Sequence, residues 1–308
     1  MSIQFIIDEE QAGIRLDKFL ADALPDLSRS YIQKLIKDEQ VTVNQIVQKA
    51  NYKINAGDCL VLEEPELQEP DIVAENIPLD ILYEDSDLLI INKPKGMVVH
   101  PSAGHYSGTL VNALMYYCKD DLSGINGVMR PGIVHRIDMD TTGSLLVCKN
   151  DFAHNDIAEQ LKVHSITRVY HAIVHGVIKE DEGTINAPIG RHEIERKKMS
   201  VNYKHGKEAI THYKVLKRFQ NHTYIECRLE TGRTHQIRVH MASIHHPLLG
   251  DVVYGPAKSP SKLQGQTLHA KTIGIQHPRT REYLEIDAPL PEYFSELLEK
   301  LENNIHLR

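Results

Sequence analysis

The sequence predicts an α+β fold in two parts, a small α/β module followed by a larger unit, and three observations carry that reading. Between Glu63 and Ile77 lie six acidic residues, no Lys or Arg, and the prolines Pro65 and Pro70. This is the composition of an extended, self-repelling linker. Ahead of it, two stretches with apolar residues at helical spacing precede two short alternating runs. Beyond it, apolar runs of strand length recur between turn residues, with a few helical patterns among them.

Residues 13–62 read as one compact module. Arg15-Leu16-Asp17-Lys18-Phe19-Leu20 begins a helix with Leu16, Phe19, Leu20 and Leu24 on one face. Pro25 breaks it, and Ser28 or Ser30 is placed to cap a second helix carrying Ile32, Leu35 and Ile36. Residues 41–44 alternate like a strand, and Gly57-Asp58 turns the chain before another strand at 59–62. The polar face holds Arg15, Lys18, Arg29, Lys34 and Lys37. Such charges are often no more than a solvated helical face. Seven Lys/Arg stand against six Asp/Glu over the module, a balance suited to modest affinity for a polyanion. Residues 63–77 are the linker, and the second unit runs from 78 to 308.

That unit starts with two strands, Ile81-Leu82-Tyr83-Glu84-Asp85 and Leu88-Leu89-Ile90-Ile91-Asn92-Lys93-Pro94. A Lys-Pro-Lys-Gly turn follows at 93–96, and Thr109 to Leu114 is a short helix. Asp151 can cap a helix that buries Ala153, Ile157, Ala158 and Leu161. Arg168 to Val174 is a strand with Tyr170, Ala172 and Val174 on one face. A strand Tyr is usually a core residue with a hydrogen-bonded hydroxyl. Six Lys/Arg against two acidic residues make 191–207 the most basic patch, around Arg196, Lys197 and Lys198. Residues 207–213 and 223–229 alternate as paired strands. Gly232 then turns into a helix starting at Arg233 or Thr234 and burying Ile237, Met241 and Ile244. Closing strands at 268–270 and 283–286 precede a terminal helix with Phe294, Leu297, Leu298 and Leu301 as its stripe.

The stretch that organises the chain is His135-Arg136-Ile137-Asp138-Met139-Asp140-Thr141-Thr142-Gly143, running into the apolar Leu145-Leu146-Val147-Cys148. Charged groups packed just before a buried strand read as a loop delivering side chains into a cleft, with Gly143 permitting close approach. Asp138 and Asp140 share a face if the backbone is extended and diverge if it turns. A capped turn with solvated aspartates is the plainer reading of Asp-x-Asp. Arg136 upstream and the strand downstream favour a carboxylate kept ionised for use as a nucleophile or base.

The same stretch resembles the signature of the RluA/RluD family of ribosomal RNA pseudouridine synthases, His-Arg-Leu-Asp-x-x-Thr-x-Gly. Further blocks agree in the family's order: Asn92-Lys93-Pro94-Lys95-Gly96, Arg168-Val169-Tyr170-His171-Ala172, Arg196-Lys197-Lys198-Met199 and Thr231-Gly232-Arg233-Thr234-His235-Gln236-Ile237-Arg238. Residues 13–62 are similar to the small RNA-binding domain first named from ribosomal protein S4. Three positions depart from the pattern: Ile137 stands for Leu, Met139 for a basic residue, and Val252 for Pro after Asp251.

The resemblance implies a small α/β RNA-binding module followed by an α+β catalytic domain with a mixed, mostly antiparallel sheet flanked by helices. It implies Asp138 as the catalytic aspartate, Arg233 paired with it, Tyr170 stacked on the target base, and Leu229 lining the same pocket. Arg136 would fill the gap left by a flipped nucleotide. Arg15, Lys18, Arg29, Lys34, Lys37, Arg196, Lys197 and Lys198 would meet RNA phosphates. The implied reaction isomerises a uridine within RNA, with no cofactor. Ser123-Gly124-Ile125-Asn126-Gly127 and Arg196 to Met199 point to the subgroup acting on large-subunit ribosomal RNA, either free or in a pre-ribosomal particle. The reading from a different class, a non-catalytic ribosome-assembly factor, has no use for a carboxylate facing a polyanion.

Composition excludes other classes. A chain of 308 residues with 41% hydrophobic and 25% charged residues is an ordinary globular sequence, expected in the cytoplasm. No apolar run of membrane-spanning length occurs, the start lacks a basic n-region, and no obligate protein partner is evident. Cys59, Cys118, Cys148 and Cys227 are scattered without paired spacing, as buried thiols in a reducing compartment would be. The net charge of −7 argues weakly against nucleic acid, but local patches set the field at a cleft. His235 and His240, five apart, do not share a helical face, and no HExxH or nearby carboxylate completes a metal site.

Overall fold

Strand β1 (Ser2–Ile6) opens the first unit, ahead of the stretch that the sequence marks as its start. It belongs there because it pairs with the closing strand over its whole length, from Ser2 opposite Glu63 to Ile6 opposite Cys59. In this computed structural model the described residues are 2–24, 29–63, 72–101, 104–119, 121–124, 131–195, 198–257 and 263–304. The chain divides into two units, residues 1–70 and 71–308. Pro25, Ser28, Pro65, Pro70, Ile125, Asn126, Gly127, Arg196 and Lys197 lie outside the described residues, as does the side chain of Lys34.

In the first unit, β1 is followed by α1 (Leu16–Ala23), α2 (Arg29–Lys37), β2 (Val41–Val43), β3 (Ile46–Val47) and β4 (Cys59–Glu63). The antiparallel sheet runs in the order β1-β4-β2-β3. The helical spacing does its expected work: Leu16, Phe19 and Leu20 meet Ile32, Leu35 and Ile36 over Leu60 and Leu62. Leu24 is only partly buried. Ser30 lies inside α2, so it is not the cap. The β2–β3 hairpin was not foreseen. Its turn residues Asn44 and Gln45 both have positive φ, the geometry a two-residue hairpin needs, without the usual glycine.

The second unit holds β5 (Ile81–Glu84), β6 (Leu88–Lys93), α3 (Leu110–Cys118), β7 (Thr142–Cys148), α4 (Asp151–Lys162) and β8 (Thr167–His175). Then come β9 (Glu182–Asn186), β10 (Ile189–Arg191), β11 (Met199–Val201), β12 (Ile210–Arg218), β13 (His222–Leu229) and α5 (Gln236–Ser243). The chain closes with β14 (Leu268–Gln276), β15 (Tyr283–Asp287) and α6 (Glu292–Glu302). A nine-stranded sheet has the order β5-β6-β7-β14-β8-β13-β12-β9, with β15 on the far half of β14. Only β7 and β14 run parallel, so the sheet is mixed and mostly antiparallel. β10 and β11 form a separate hairpin.

Both sheet faces are covered, which is why β6 and β7 are apolar without interruption. Leu89, Ile91, Leu145 and Val147 meet α3 and α5 on one side. Leu88, Ile90, Leu146 and Cys148 meet α4 on the other. Phe294, Leu297 and Leu301 of α6 cover Ile173 and Leu249. The expected caps shift by a residue or two: Asn150, not Asp151, caps α4, and α5 begins at Gln236. The linker reading also needs correction over 72–77. Ile72 is buried in the second unit's core, Asn112 Nδ2 donates to the Val73 carbonyl at 2.8 Å, and Gly108 N–H donates to Glu75. Apolar Ile72 inside an acidic run is enough to dock that segment. No helix among the described residues is long and apolar enough to cross a membrane.

Candidate active site

The loop before β7 is held by a buried lysine. Lys93 ends the apolar run of β6, and its side chain is fully buried. Its Nζ donates to the carbonyls of Pro94 at 2.7 Å, Met97 at 2.9 Å and Met139 at 2.9 Å. Burial draws its pKa down to about 7 against the pull of Asp140 and Asp138. Three carbonyls in range favour the ammonium, which alone has three protons to give. Gly96, at φ +80, donates its N–H to the same Met139 oxygen at 3.0 Å. The peptide between the two aspartates is thereby anchored.

The loop then turns, with Thr141 N–H donating to the Asp138 carbonyl at 3.0 Å, and the two carboxylates diverge. Asp140 stays beside Gln264 and Gly265. Burial raises its pKa, and Lys95 and Lys93 oppose that rise. Gly143 is required for the strand that follows: a Cβ there would stand 2.3 Å from the Ala270 carbonyl oxygen of β14. Ser144 Oγ donates to that same carbonyl at 3.0 Å, and Gln266 Nε2 to Thr141 Oγ1 at 3.0 Å. β14 therefore sets where the loop stands.

Asp138 meets α5, a helix a hundred residues further along the chain. Arg238, in the first turn of that helix, donates Nη1 to Asp138 Oδ2 at 2.9 Å. Its other edge is bidentate on Asp251, Nε to Oδ2 at 2.6 Å and Nη2 to Oδ1 at 3.0 Å. Both Arg238 and Asp251 are buried. Burial works against the guanidinium, yet the bonds and charge of Asp251, with Asp138, raise its pKa above the ordinary arginine value. Tyr254 lies under it, ring centroid 5.1 Å from the guanidinium carbon. Asp138 Oδ1 has no hydrogen-bond partner among the described residues; His235 Nε2 stands 3.8 Å away.

Two cavities meet at Asp138. A pocket of about 60 Å³ is lined by Ile137, Asp138, Tyr170, Leu229, Arg233 and His235, among others. A cleft of about 680 Å³ shares Arg136, Ile137, Asp138, His235 and Arg238 with it. Tyr170 is buried, and burial raises its hydroxyl pKa, Asp138 adding to that and Arg168 opposing it. Arg136 is exposed. A half-buried carboxylate with one oxygen clamped and one open, beside an aromatic ring, can act on an electrophilic or acidic carbon of a flat ligand and its sugar.

Of the residues expected here, Asp138, Tyr170, Leu229, Arg136 and Arg233 do line one pocket. The expected pairing of Arg233 with Asp138 is not what the structure shows. Arg233 Nε donates to the Glu208 carbonyl at 2.8 Å, and the arginine on Asp138 is Arg238. The reason lies in the turn: Gln236 Oε1 accepts the Arg233 N–H and the Thr231 hydroxyl, and His235 is left-handed, so the helix starts later. Sequence reasoning also missed Lys93, Asp251, Tyr254 and His235. Spacing held one clue, since His235 and Arg238 lie three apart at a helix start.

In the first unit, Asp17 is fully buried and accepts from Arg15 Nε and Nη2, Arg29 Nε and Nη2, and Gln33 Nε2. Burial works against this carboxylate, yet hydrogen bonds from Arg15, Gln33 and Arg29 hold its pKa at about 2. Arg15 and Arg29 are each about half exposed, with side chains at 48% and 52%. Lys18 and Lys37 are exposed. Lys198 is paired with Glu195 at 2.9 Å. Among the described residues, the one group of three His/Cys/Asp/Glu with metal-ligand spacing is Asp85, Asp87 and His277. It lies at the opposite end of β6 from Lys93, and it is already bonded to Tyr83 and Arg279.

The family profile described as RNA pseudouridylate synthase matches residues 87–243, and that of the S4 domain matches residues 14–59. A relative from Bacillus subtilis, described as an uncharacterized RNA pseudouridine synthase, is 56% identical over 98% of this chain and 99% of its own. Ribosomal large subunit pseudouridine synthase D of Pseudomonas aeruginosa is 46% identical over 95% of this chain and 93% of its own. Among solved structures, human RNA pseudouridylate synthase domain containing 1 shares the fold. It is 24% identical over 74% of this chain and 96% of its own, with a TM-score of 0.57.

Proposed function

This chain belongs to the RNA pseudouridylate synthase family, and from that premise we propose that it converts uridines of large-subunit ribosomal RNA to pseudouridine with Asp138 as the catalytic carboxylate. One observation carries the assignment: among the described residues, Asp138 is the one carboxylate that lines both pocket and cleft, with one oxygen held by Arg238 and the other open.

In this reaction the bond from ribose C1′ to uracil N1 breaks, the base turns in place, and C1′ bonds to C5. The C5 proton leaves and N1 ends protonated, so the balance needs no electron acceptor, group donor or cofactor. Asp138 Oδ1 serves as nucleophile or as base on the ribose, and both roles require an ionised carboxylate shielded from bulk water. Arg238 orients it through a charge-assisted bond. Tyr170 stacks on the base, Leu229 and Ile137 close the pocket, and exposed Arg136 enters the space that the flipped nucleotide leaves. Arg233, at the same pocket, contacts substrate in place of the carboxylate.

RNA is held by phosphate contacts on both units. In the S4 unit, Asp17 pre-sets the half-exposed Arg15 and Arg29, and Lys18 and Lys37 of the same two helices are exposed. Lys34, Arg196, Lys197 and Lys198 complete the proposed set. The substrate is the RNA or a pre-ribosomal particle in the cytoplasm, where free cysteines such as the four here stay reduced.

Tritium release from rRNA transcribed with [5-³H]uridine tests the assignment. Asp138→Asn removes the charge and keeps the shape, so turnover should vanish while RNA affinity and melting temperature hold. Substantial release by that variant, or loss that follows Asp140→Asn instead, would overturn it. Mapping pseudouridine in cellular RNA with and without the protein identifies the sites.

A further inference from the structure

We propose that His235 and Tyr254 are a positioning pair that presents an N–H to the open oxygen of Asp138, and that this pair wires the β10–β11 hairpin to the catalytic carboxylate. The inference rests on Asp138 being that carboxylate. Met199 N–H donates to the Tyr254 hydroxyl oxygen at 2.9 Å, so the hydroxyl keeps its own proton to give. Its partner for that proton is His235 Nδ1, at 2.8 Å. A neutral imidazole that accepts at one nitrogen carries hydrogen on the other. That arrangement puts the proton on Nε2, 3.8 Å from Asp138 Oδ1, an electrostatic contact longer than a hydrogen bond. The opposite tautomer would turn a bare lone pair toward the carboxylate.

Four further observations agree. His235 is the cap residue of α5 and sits at φ 57, ψ 23, yet its side chain makes no capping bond. A left-handed residue without glycine's freedom costs about 1–2 kcal/mol; the His235 carbonyl takes the first helical bond, from Val239 N–H at 2.9 Å, and the same turn leaves the side chain to Tyr254 and Asp138. Tyr254 is fixed on two sides, edge-on to the His235 ring at 5.7 Å and under the Arg238 guanidinium. The charges facing the ring are Asp138, Arg238, Asp251 and Arg136, and burial keeps the imidazole below its usual pKa. The ring is thus neutral at pH 7, and its tautomer decides what Asp138 meets. Met199 opens β11 directly after Lys198, so the basic segment proposed to hold RNA is one peptide from the relay.

Tyr254→Phe, His235→Asn and the double variant test this in the full chain. Asn accepts the left-handed backbone and lacks the Nε2 donor. Spectra of ¹⁵N-histidine protein, with His235→Asn identifying the signal among eighteen histidines, report the tautomer directly. Wild type should show Nε2–H, and Tyr254→Phe should shift the ring toward a mixture. Single-turnover tritium release from a saturating RNA hairpin should fall roughly tenfold in each single variant, the size expected for an oriented donor beside a charge. RNA affinity and melting temperature should hold, and the double variant should be no slower than His235→Asn. An Nδ1–H tautomer in wild type overturns the proposal, as do additive losses or a loss confined to affinity. Wild-type rates in both single variants alongside a dead Asp138→Asn overturn the pair but not the carboxylate; an active Asp138→Asn overturns the carboxylate, while the tautomer result still reads the geometry.

Discussion

Replacing Arg238 with Met should cost stability and rate together, and the two losses can be separated. The Asp251 carboxylate is fully buried and receives two of the guanidinium's bonds. Without them, among the described residues, it keeps the N–H groups of Val253 and Tyr254, at 3.0 and 3.2 Å. Breaking a buried pair from one side costs about 3–5 kcal/mol, which in a unit of this size lowers the melting temperature by on the order of 10 °C. Asp138 loses one charge-assisted bond, about 1.5–3 kcal/mol, or roughly ten- to a hundredfold in single-turnover rate. Adding Asp251→Asn removes the stranded charge, so the double variant should regain most of the melting temperature and none of the rate. Arg233→Met loses one bond to the Glu208 carbonyl, worth about 1 kcal/mol, and should affect RNA binding more than the bound-state rate. Thermal unfolding and single-turnover tritium release at a temperature where every variant is folded read both quantities. If Arg233→Met slows the bound-state rate more than Arg238→Met does, and Arg238→Met melts like wild type, the pairing argued from the structure is wrong.

Two more outcomes are expected. Deleting residues 1–70 should leave a folded second unit, because residues 71–308 form a unit with core clusters of their own and Ile72 is retained. RNA binding should weaken and the salt slope shrink by about two to four contacts, with the rate at saturating RNA little changed; an unchanged slope would make the Arg15 and Arg29 face merely solubilising. Buried His269 has its pKa lowered from 6.5 to about 4, chiefly by burial. The unfolded chain therefore binds the extra proton first, and stability should fall as pH drops from 6.5 toward 4, by about 3 kcal/mol for this residue. Equilibrium unfolding of His269→Gln across that range should show a shallower pH slope than wild type; an identical slope would refute the assignment.

Whatever depends on near neighbours in the chain was legible without coordinates. The apolar spacing of α1, α2 and α6 marks the faces they bury. The alternation of β8 puts Tyr170 inward, and the run from His135 to Gly143 marks the loop ahead of a buried strand. Gly143 could be read as a close approach, though not that the Ala270 carbonyl was what approached. Pairings through space were not legible. Arg233 and Arg238 stand in one motif with equal chemistry, and the choice between them turns on a left-handed His235 and a Gln236 side chain that caps the turn. Histidine is enriched among left-handed residues, and His164 and His245 adopt positive φ here too, but residue type alone does not say which histidine will. Asp251 and Tyr254 lie well beyond that motif in sequence, and Lys93 serves Met139 across 46 residues. Acidic composition likewise hid that Ile72 docks, because charge averages over a window whereas burial is decided one side chain at a time. Periodicity is a property of the chain alone; which charges share a carboxylate is settled only when β14 and α5 bring distant segments within hydrogen-bond range.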